Sequence, residues 1–173
     1  MKKIITFSIL FASLLVFYSC KKPKPLIEIH ISSVEIELND IEINEDGIFN
    51  ATQTINFSSL EGFYDEAIKY KDRIEMITVN TAHIRMIVTN FKGTGVKEFM
   101  VKEDNIGNYY IDEYALGTPH YNASLESYTE KLLSELLLNG SIDINVSGRT
   151  DAPANEELHV AFILQLVRLW VKE

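Results

Sequence analysis

The stretch that decides the fold is LIEIHISSVEIELNDIEI, residues 26 to 43. Apolar residues recur in it at nearly every second position, with charged or polar residues between them, as in Ile36, Glu37 and Leu38. A period of two places one face of a β-strand against a core and the other face in water. The stretch therefore predicts half-buried strand. NEDG at residues 44 to 47 predicts the turn that follows, with Gly47 free to take a positive φ.

The same alternation returns along the rest of the chain. Between residues 74 and 114, the segments with this pattern are rich in β-branched residues and are separated by turns containing Gly and Asn, which fits antiparallel strands joined as a meander. Further strands are predicted at residues 48–57, 74–90, 96–103, 108–114 and 141–149.

Two segments have the period of a helix instead. Ser58 and Glu61 have the spacing of a capping box. The apolar stripe that goes with them consists of Leu60, Phe63, Tyr64, Ala67 and Ile68. A second helix is predicted over residues 125–138, with Asn139 and Gly140 as its stop. Its apolar face consists of Leu125, Tyr128, Leu132 and Leu136.

Residues 157–172 are apolar at both odd and even positions, so periodicity alone leaves strand and helix open. The β-branched residues of this segment favour a strand, and DAPANEE, residues 151–157, favours a loop that leads into it. We expect a central strand, with the core of a sandwich on one side and a helix on the other.

These elements predict a mainly β fold in which residues 26–173 form one β-rich domain. The expected architecture is an antiparallel β-sandwich of seven or eight strands with two helical insertions. It resembles the immunoglobulin-like sandwiches of many envelope lipoproteins at the level of architecture. A formal net charge of −9 argues against binding to nucleic acid, because that binding depends on basic residues that neutralise phosphates.

The first 19 residues have the layout of a secretory signal peptide. A basic start, MKK, is followed by an uncharged run from Ile4 to Tyr18 and by the small residue Ser19. The run is short for a membrane span, which needs about 20 residues, although a retained anchor remains an alternative. Cys20, the one cysteine of the chain, follows directly.

FYSC at residues 17–20 resembles the cleavage motif of bacterial lipoprotein precursors. The resemblance implies that the signal peptide is cut between Ser19 and Cys20, and that Cys20 carries acyl chains that bind a membrane. Residues 20–25 are then a lipidated tether. Lys21 stands where an aspartate would mark inner-membrane retention, so the resemblance implies the outer membrane, facing the periplasm. An ordinary signal peptide that leaves a free thiol is the alternative.

No catalytic or metal-binding motif stands out, and no cofactor is predicted. The four histidines, at 30, 83, 120 and 159, lack the i, i+4 pairing of a helical zinc site. With Gly47 at the sixth place of an EF-hand loop, Gln53 would stand where the bidentate glutamate belongs. The chain also has no G-x-S-x-G elbow.

Tyrosine is enriched between residues 109 and 128. A group of exposed tyrosines can bind a protein or a glycan, because each ring offers apolar area and a hydroxyl. The alternative is that these rings fill half-buried faces of a sheet. The candidate binding surface consists of Tyr109, Tyr110, Tyr114 and Tyr121, with Tyr128 close in sequence.

The leading hypothesis from the sequence is a non-enzymatic accessory protein, anchored to the envelope through Cys20, which binds a protein or glycan partner. One alternative is an envelope hydrolase or lipid-handling protein whose site is assembled from residues distant in sequence. Another is a structural subunit with an exposed β-edge.

Overall fold

A computed structural model describes residues 24–89, 95–154 and 156–173. The predictions made for residues 1–23, including the cleavage after Ser19 and the lipidation of Cys20, lie outside these ranges. Within the described ranges, no helix is both long and apolar enough to cross a membrane.

The elements alternate in the order that the sequence pattern predicts. The described ranges contain two helices, α1 (Phe63–Tyr70) and α2 (Ala123–Asn139), together with short 3-10 helices at Phe57–Ser59 and Lys71–Arg73. The strands are β1 (Leu26–Glu42), β2 (Ile48–Asn56), β3 (Ile74–Val88), β4 (Val96–Glu103), β5 (Gly107–Tyr114), β6 (His120–Tyr121), β7 (Ser141–Thr150) and β8 (Glu157–Lys172).

The described strands form two antiparallel sheets packed as a sandwich. Sheet A has the order β1-β8-β3-β6, and sheet B has the order β2-β7-β4-β5. Apart from the β4–β5 hairpin, each strand is followed along the chain by a strand of the opposite sheet. This arrangement of eight strands is a jelly roll. The prediction of a mainly β antiparallel sandwich with two helical insertions is thus confirmed.

Two finer predictions about strand order are wrong. An immunoglobulin-like sandwich pairs its first two strands within one sheet, whereas β1 and β2 lie in different sheets here. The meander predicted between residues 74 and 114 is not formed either, because β3 lies in sheet A and only β4 and β5 pair as a hairpin. The turn after β1 explains the difference: the Asn44 Oδ1 accepts hydrogen bonds from the N–H groups of Asp46 (3.0 Å) and Ile48 (2.8 Å), and the chain crosses there to the other sheet.

The C-terminal segment is a strand, as predicted, and it lies at the centre of sheet A between β1 and β3. Its core-facing residues are even-numbered up to Leu164 and odd-numbered from Val167 onward; Ala161 is also buried, but on the outer face. Between them lie two exposed residues, Gln165 and Leu166, and Leu166 has a φ of 53°. Odd- and even-numbered positions are both apolar because the core-facing residues change from even-numbered to odd-numbered within the strand.

The two neighbouring strands, β1 and β3, also switch between odd-numbered and even-numbered buried residues at the level of this change in β8. We call this shared change the step. In β1 the buried parity changes between Ile31 and Val34, and in β3 it changes between Val79 and Ala82. Ile31 and Val79 both pair with Val167. The helix that was expected to cover β8 is not the cause, because α2 makes its main sheet contact with β3.

The two helices differ in how well their ends were predicted. The capping box is wrong for α1: Ser58 lies in a 3-10 helix, and α1 begins after Gly62, which has a φ of 73°. The prediction for α2 is confirmed, since it ends at Gly140, whose N–H donates to the Leu136 carbonyl at 2.9 Å. The predicted face of α2 is buried.

Candidate functional site

Two of the four predicted surface tyrosines are interior residues, which corrects the predicted binding surface. Tyr109 is 4% exposed, and its ring lies 5.9 Å from that of Tyr128 on α2. Tyr114 is 2% exposed; its hydroxyl accepts the Met86 N–H at 2.9 Å and donates to the Thr118 carbonyl. Neither ring is available to a partner.

The other two tyrosines are exposed but lie on different sheets. Tyr110 is 51% exposed on β5 of sheet B, and its hydroxyl is 3.3 Å from the Asp112 carboxylate. Tyr121 is 59% exposed on β6 of sheet A, and its ring lies 4.9 Å from that of His83. The predicted four-tyrosine surface is therefore not assembled.

The histidines do not form a metal site. Among the described residues, no group of three or more His, Cys, Asp or Glu side chains is placed to hold a metal ion. His30 is exposed beside Glu28, and His120 lies near the Tyr114 ring. His159 instead belongs to a surface on the outer face of sheet A, and His83 lies next to that surface on β3.

That surface is formed by outward side chains of β1, β8 and β3 in register. Glu37 pairs with Ala161, which pairs in turn with Arg85. One row toward the end of the sheet, His159 pairs with Ile87. These side chains surround a depression of about 470 Å³. We call it the outer patch, consisting of Glu37, Asn39, Arg85, Ile87, Thr89, His159 and Ala161.

Ala161 makes the depression. It faces outward, since its neighbours Val160 and Phe162 are buried in the core, yet it is only 9% exposed. The larger side chains on the adjacent strands rise around a methyl group. The role of Ala161 could not be predicted from the sequence, because a lone alanine in an apolar run carries no chemical signal.

His159 is fixed at both ring nitrogens. Its Nδ1 lies 3.1 Å from the Asn39 Oδ1, and its Nε2 lies 3.0 Å from the Thr89 Oγ1. Both partners are neutral, and no carboxylate orients the ring. The contacts make His159 a rigid wall of the outer patch and not a general base poised beside a nucleophile.

Charge on the outer patch is balanced by one cross-strand ion pair. The Arg85 guanidinium is 3.3 Å from the Glu35 carboxylate, over the top of β8, and both side chains are about half exposed. Such exposed pairs contribute little stability, so the pair can rearrange for a ligand. Burial, together with the nearby Arg85, lowers the pKa of His83, which favours a neutral ring against Tyr121.

Comparisons with known proteins give no family. No protein-family model matches the sequence, and no curated protein matches it. No enzyme family is identified.

Solved structures show only distant similarity. The decameric BFDV capsid protein is 11% identical, with 83% of this chain and 98% of that chain covered and a TM-score of 0.41. A Desmodium yellow mottle tymovirus structure is 9% identical, with coverages of 87% and 91% and a TM-score of 0.38. A family two carbohydrate esterase from Cellvibrio japonicus is 11% identical, with coverages of 87% and 36% and a TM-score of 0.26. These similarities carry no argument about function.

Proposed function

We propose that the protein is a non-enzymatic lipoprotein of the cell envelope that binds a glycan through the outer patch. Acyl chains on Cys20 anchor it, at the outer membrane and facing the periplasm. The observation that carries the binding role is the depression over Ala161, in which a small apolar floor is surrounded by planar polar side chains.

The chemistry of the outer patch suits a sugar ring. A pyranose has an apolar C–H face and a rim of hydroxyl groups. Ala161 and the exposed side chain of Ile87 offer apolar area for the face. Arg85 can donate, Glu37 can accept and Asn39 can do both, so hydroxyl groups of either role find partners.

An aromatic side chain extends the same surface. His83 is two residues from Arg85 on the same face of β3, and Tyr121 packs beside it. A second sugar unit leaving the depression along this direction would meet the exposed Tyr121 ring, whose apolar area and hydroxyl both suit a saccharide.

The hydrolase alternative has no observation in its favour on this surface. Hydrolysis of a glycan by the common route needs two carboxyl groups that flank the bond. Here Glu35 is paired with Arg85, and His159 is bonded to two neutral groups.

Titration of the full chain with a panel of neutral and acidic oligosaccharides tests the binding role. We expect saturable binding that Ala161→Phe weakens by about tenfold or more, because the ring fills the depression. Gln165→Phe places the same ring on an exposed position of the same strand and should leave binding unchanged. Equal effects of the two variants, or no saturable binding, would contradict the proposal.

The anchor is tested separately in the native host. Cys20→Ala should abolish metabolic labelling with palmitate and release the protein from the membrane fraction, because acyl chains on residue 20 are the proposed attachment. Retained labelling and membrane association in this variant would show that the attachment is different.

A further inference from the structure

A second surface lies at the edge of the sandwich, where β1 faces the end of β2. A groove of about 630 Å³ runs between these strands, and we call it the edge groove. Its walls are residues 33, 35–37 and 39 of β1, residues 54–56 of β2, and residues 59–61 at the end of the first 3-10 helix.

One wall of the groove is an edge strand. β1 is the outermost strand of sheet A and pairs only with β8 in the described structure. The Asn39 carbonyl accepts a hydrogen bond from the Gln53 side-chain amide on β2, so this carbonyl points into the groove. Because β1 is an edge strand, alternate backbone N–H and C=O groups along it point away from β8, toward the open side of the sheet.

The dimensions suit an extended chain. Residues 33–39 span about 23 Å at about 3.3 Å per residue. Ile36, Ile55 and Leu60 lie at the bottom of the groove and are buried, so its floor is apolar and firmly packed. An added strand would therefore pack against apolar side chains that are held in place by the core.

The rim of the groove is acidic. Glu35, Glu37 and Glu61 line it, and none of the lining residues is basic. Arg85 neutralises part of this charge through Glu35. The chain as a whole carries a net charge of −9. A segment that carries lysine or arginine would therefore complement the charge of the groove.

We propose that the edge groove binds an extended, basic segment of a partner protein, which adds to β1 as a further strand of sheet A. Backbone hydrogen bonds to residues 33–39 hold the segment, and its basic side chains meet the acidic rim. The edge groove shares Glu37 and Asn39 with the outer patch, but it does not include the depression over Ala161, so peptide binding and glycan binding can be tested with separate variants.

A second copy of this chain is a poorer occupant. Pairing of β1 with β1 about a two-fold axis would bring the same residues of both copies together. With the axis at Ile36, Glu35 of each copy would face Glu37 of the other, and like charges across a strand pair are destabilising.

The test uses the full chain in detergent and a synthetic peptide of about ten residues with alternating lysine and valine. We expect saturable binding with a Kd below about 1 mM, weakened by added salt. Hydrogen exchange should slow at residues 33–39. The same peptide with alternate amides N-methylated keeps its charge but cannot pair along a strand, and it should bind about tenfold more weakly.

Two variants avoid the outer patch. Ser33→Pro removes a backbone N–H from the part of β1 that lines the groove, and it should weaken binding, whereas Ser33→Ala should not. Glu61→Lys reverses charge on the opposite wall and should also weaken binding, which keeps the test decisive if Ser33→Pro disturbs β1. Ala161→Phe should leave peptide binding unchanged.

Three results would overturn the proposal. Equal binding of the N-methylated peptide would mean that charge alone attracts it. Protection confined to another edge, such as β5, would place the peptide elsewhere. A lack of saturation up to about 1 mM would mean that the groove does not bind such segments. None of these results bears on the glycan titration.

Discussion

At the scale of single residues, two even-numbered tyrosines of β5 differ in burial. Alternation predicts that Tyr110 and Tyr114 face the same way, yet Tyr110 is exposed and Tyr114 is buried. The cause lies on the partner strand, where Glu98 has a φ of 52° and the buried residues change parity between Val96 and Phe99. Local alternation could not have predicted this.

Tyr109 is different, because its burial was predictable. It shares its parity with Ile111, an apolar residue two positions on, and both are buried. The prediction of a tyrosine surface failed here because the enrichment of one residue type was given more weight than the parity of each residue.

Tyr114→Phe tests how much the buried hydroxyl contributes. The change leaves the Met86 N–H without its acceptor, so we expect the free energy of unfolding to fall by about 1–3 kcal/mol. Tyr110→Phe removes a hydroxyl from the surface of the same strand and should change stability by less than about 0.5 kcal/mol. Urea denaturation of the three proteins measures both values, and equal effects would contradict the assigned hydrogen bond.

At the scale of elements, β8 shows what an apolar run on both parities means. The prediction of a strand was right, but the expected cover by a helix was wrong. The run reflects the step, at which β1, β8 and β3 change their buried parity together. Ser32 and Ser33 interrupt the alternation of β1 at that level and are the sequence signal of the step.

Substitutions at the step test its backbone conformation. Leu166 has a positive φ, which is costly for any residue with a Cβ, so Leu166→Gly should be more stable than Leu166→Ala by about 1 kcal/mol. At Gln165 the usual order should hold, with alanine more stable than glycine by about 0.5–1 kcal/mol. Thermal or urea unfolding of the four variants measures both differences. The same order at both positions would argue against a left-handed residue at 166.

At the scale of the whole molecule, strand positions were predictable from the sequence, but their order in the sheets was not. Alternation is a local property, whereas β1 pairs with β8 at the other end of the chain. The outer patch depends on the same long-range pairing, because Glu37, Ala161 and Arg85 meet only in the folded sheet. For this reason, sequence motifs do not reveal candidate sites whose residues come from several strands.

Burial of several tyrosines makes the stability of the whole fold sensitive to alkaline pH. Burial raises the pKa of Tyr109, Tyr114 and Tyr128 above the ordinary value. In the unfolded chain these hydroxyls lose their protons near pH 10, while the folded protein keeps them protonated to higher pH. Stability is therefore complete below about pH 10 and is lost as the pH rises beyond it.

Urea denaturation at pH 8 and pH 11 checks this linkage. We expect the wild-type protein to be less stable at pH 11, with a smaller loss in Tyr128→Phe, because one group that gives up its proton on unfolding has been removed. A loss of the same size in both proteins would mean that Tyr128 does not contribute to the pH dependence.

The place of β8 in sheet A also governs when the fold can form during synthesis. A nascent polypeptide that has left the ribosome only as far as Thr150 contains β1 and β3 but lacks the strand that joins them. Until β8 emerges, both strands present unpaired edges to other chains, and such edges promote aggregation. Residues 157–172 therefore complete sheet A, and any chaperone that shields the growing chain would have to hold it until they are delivered.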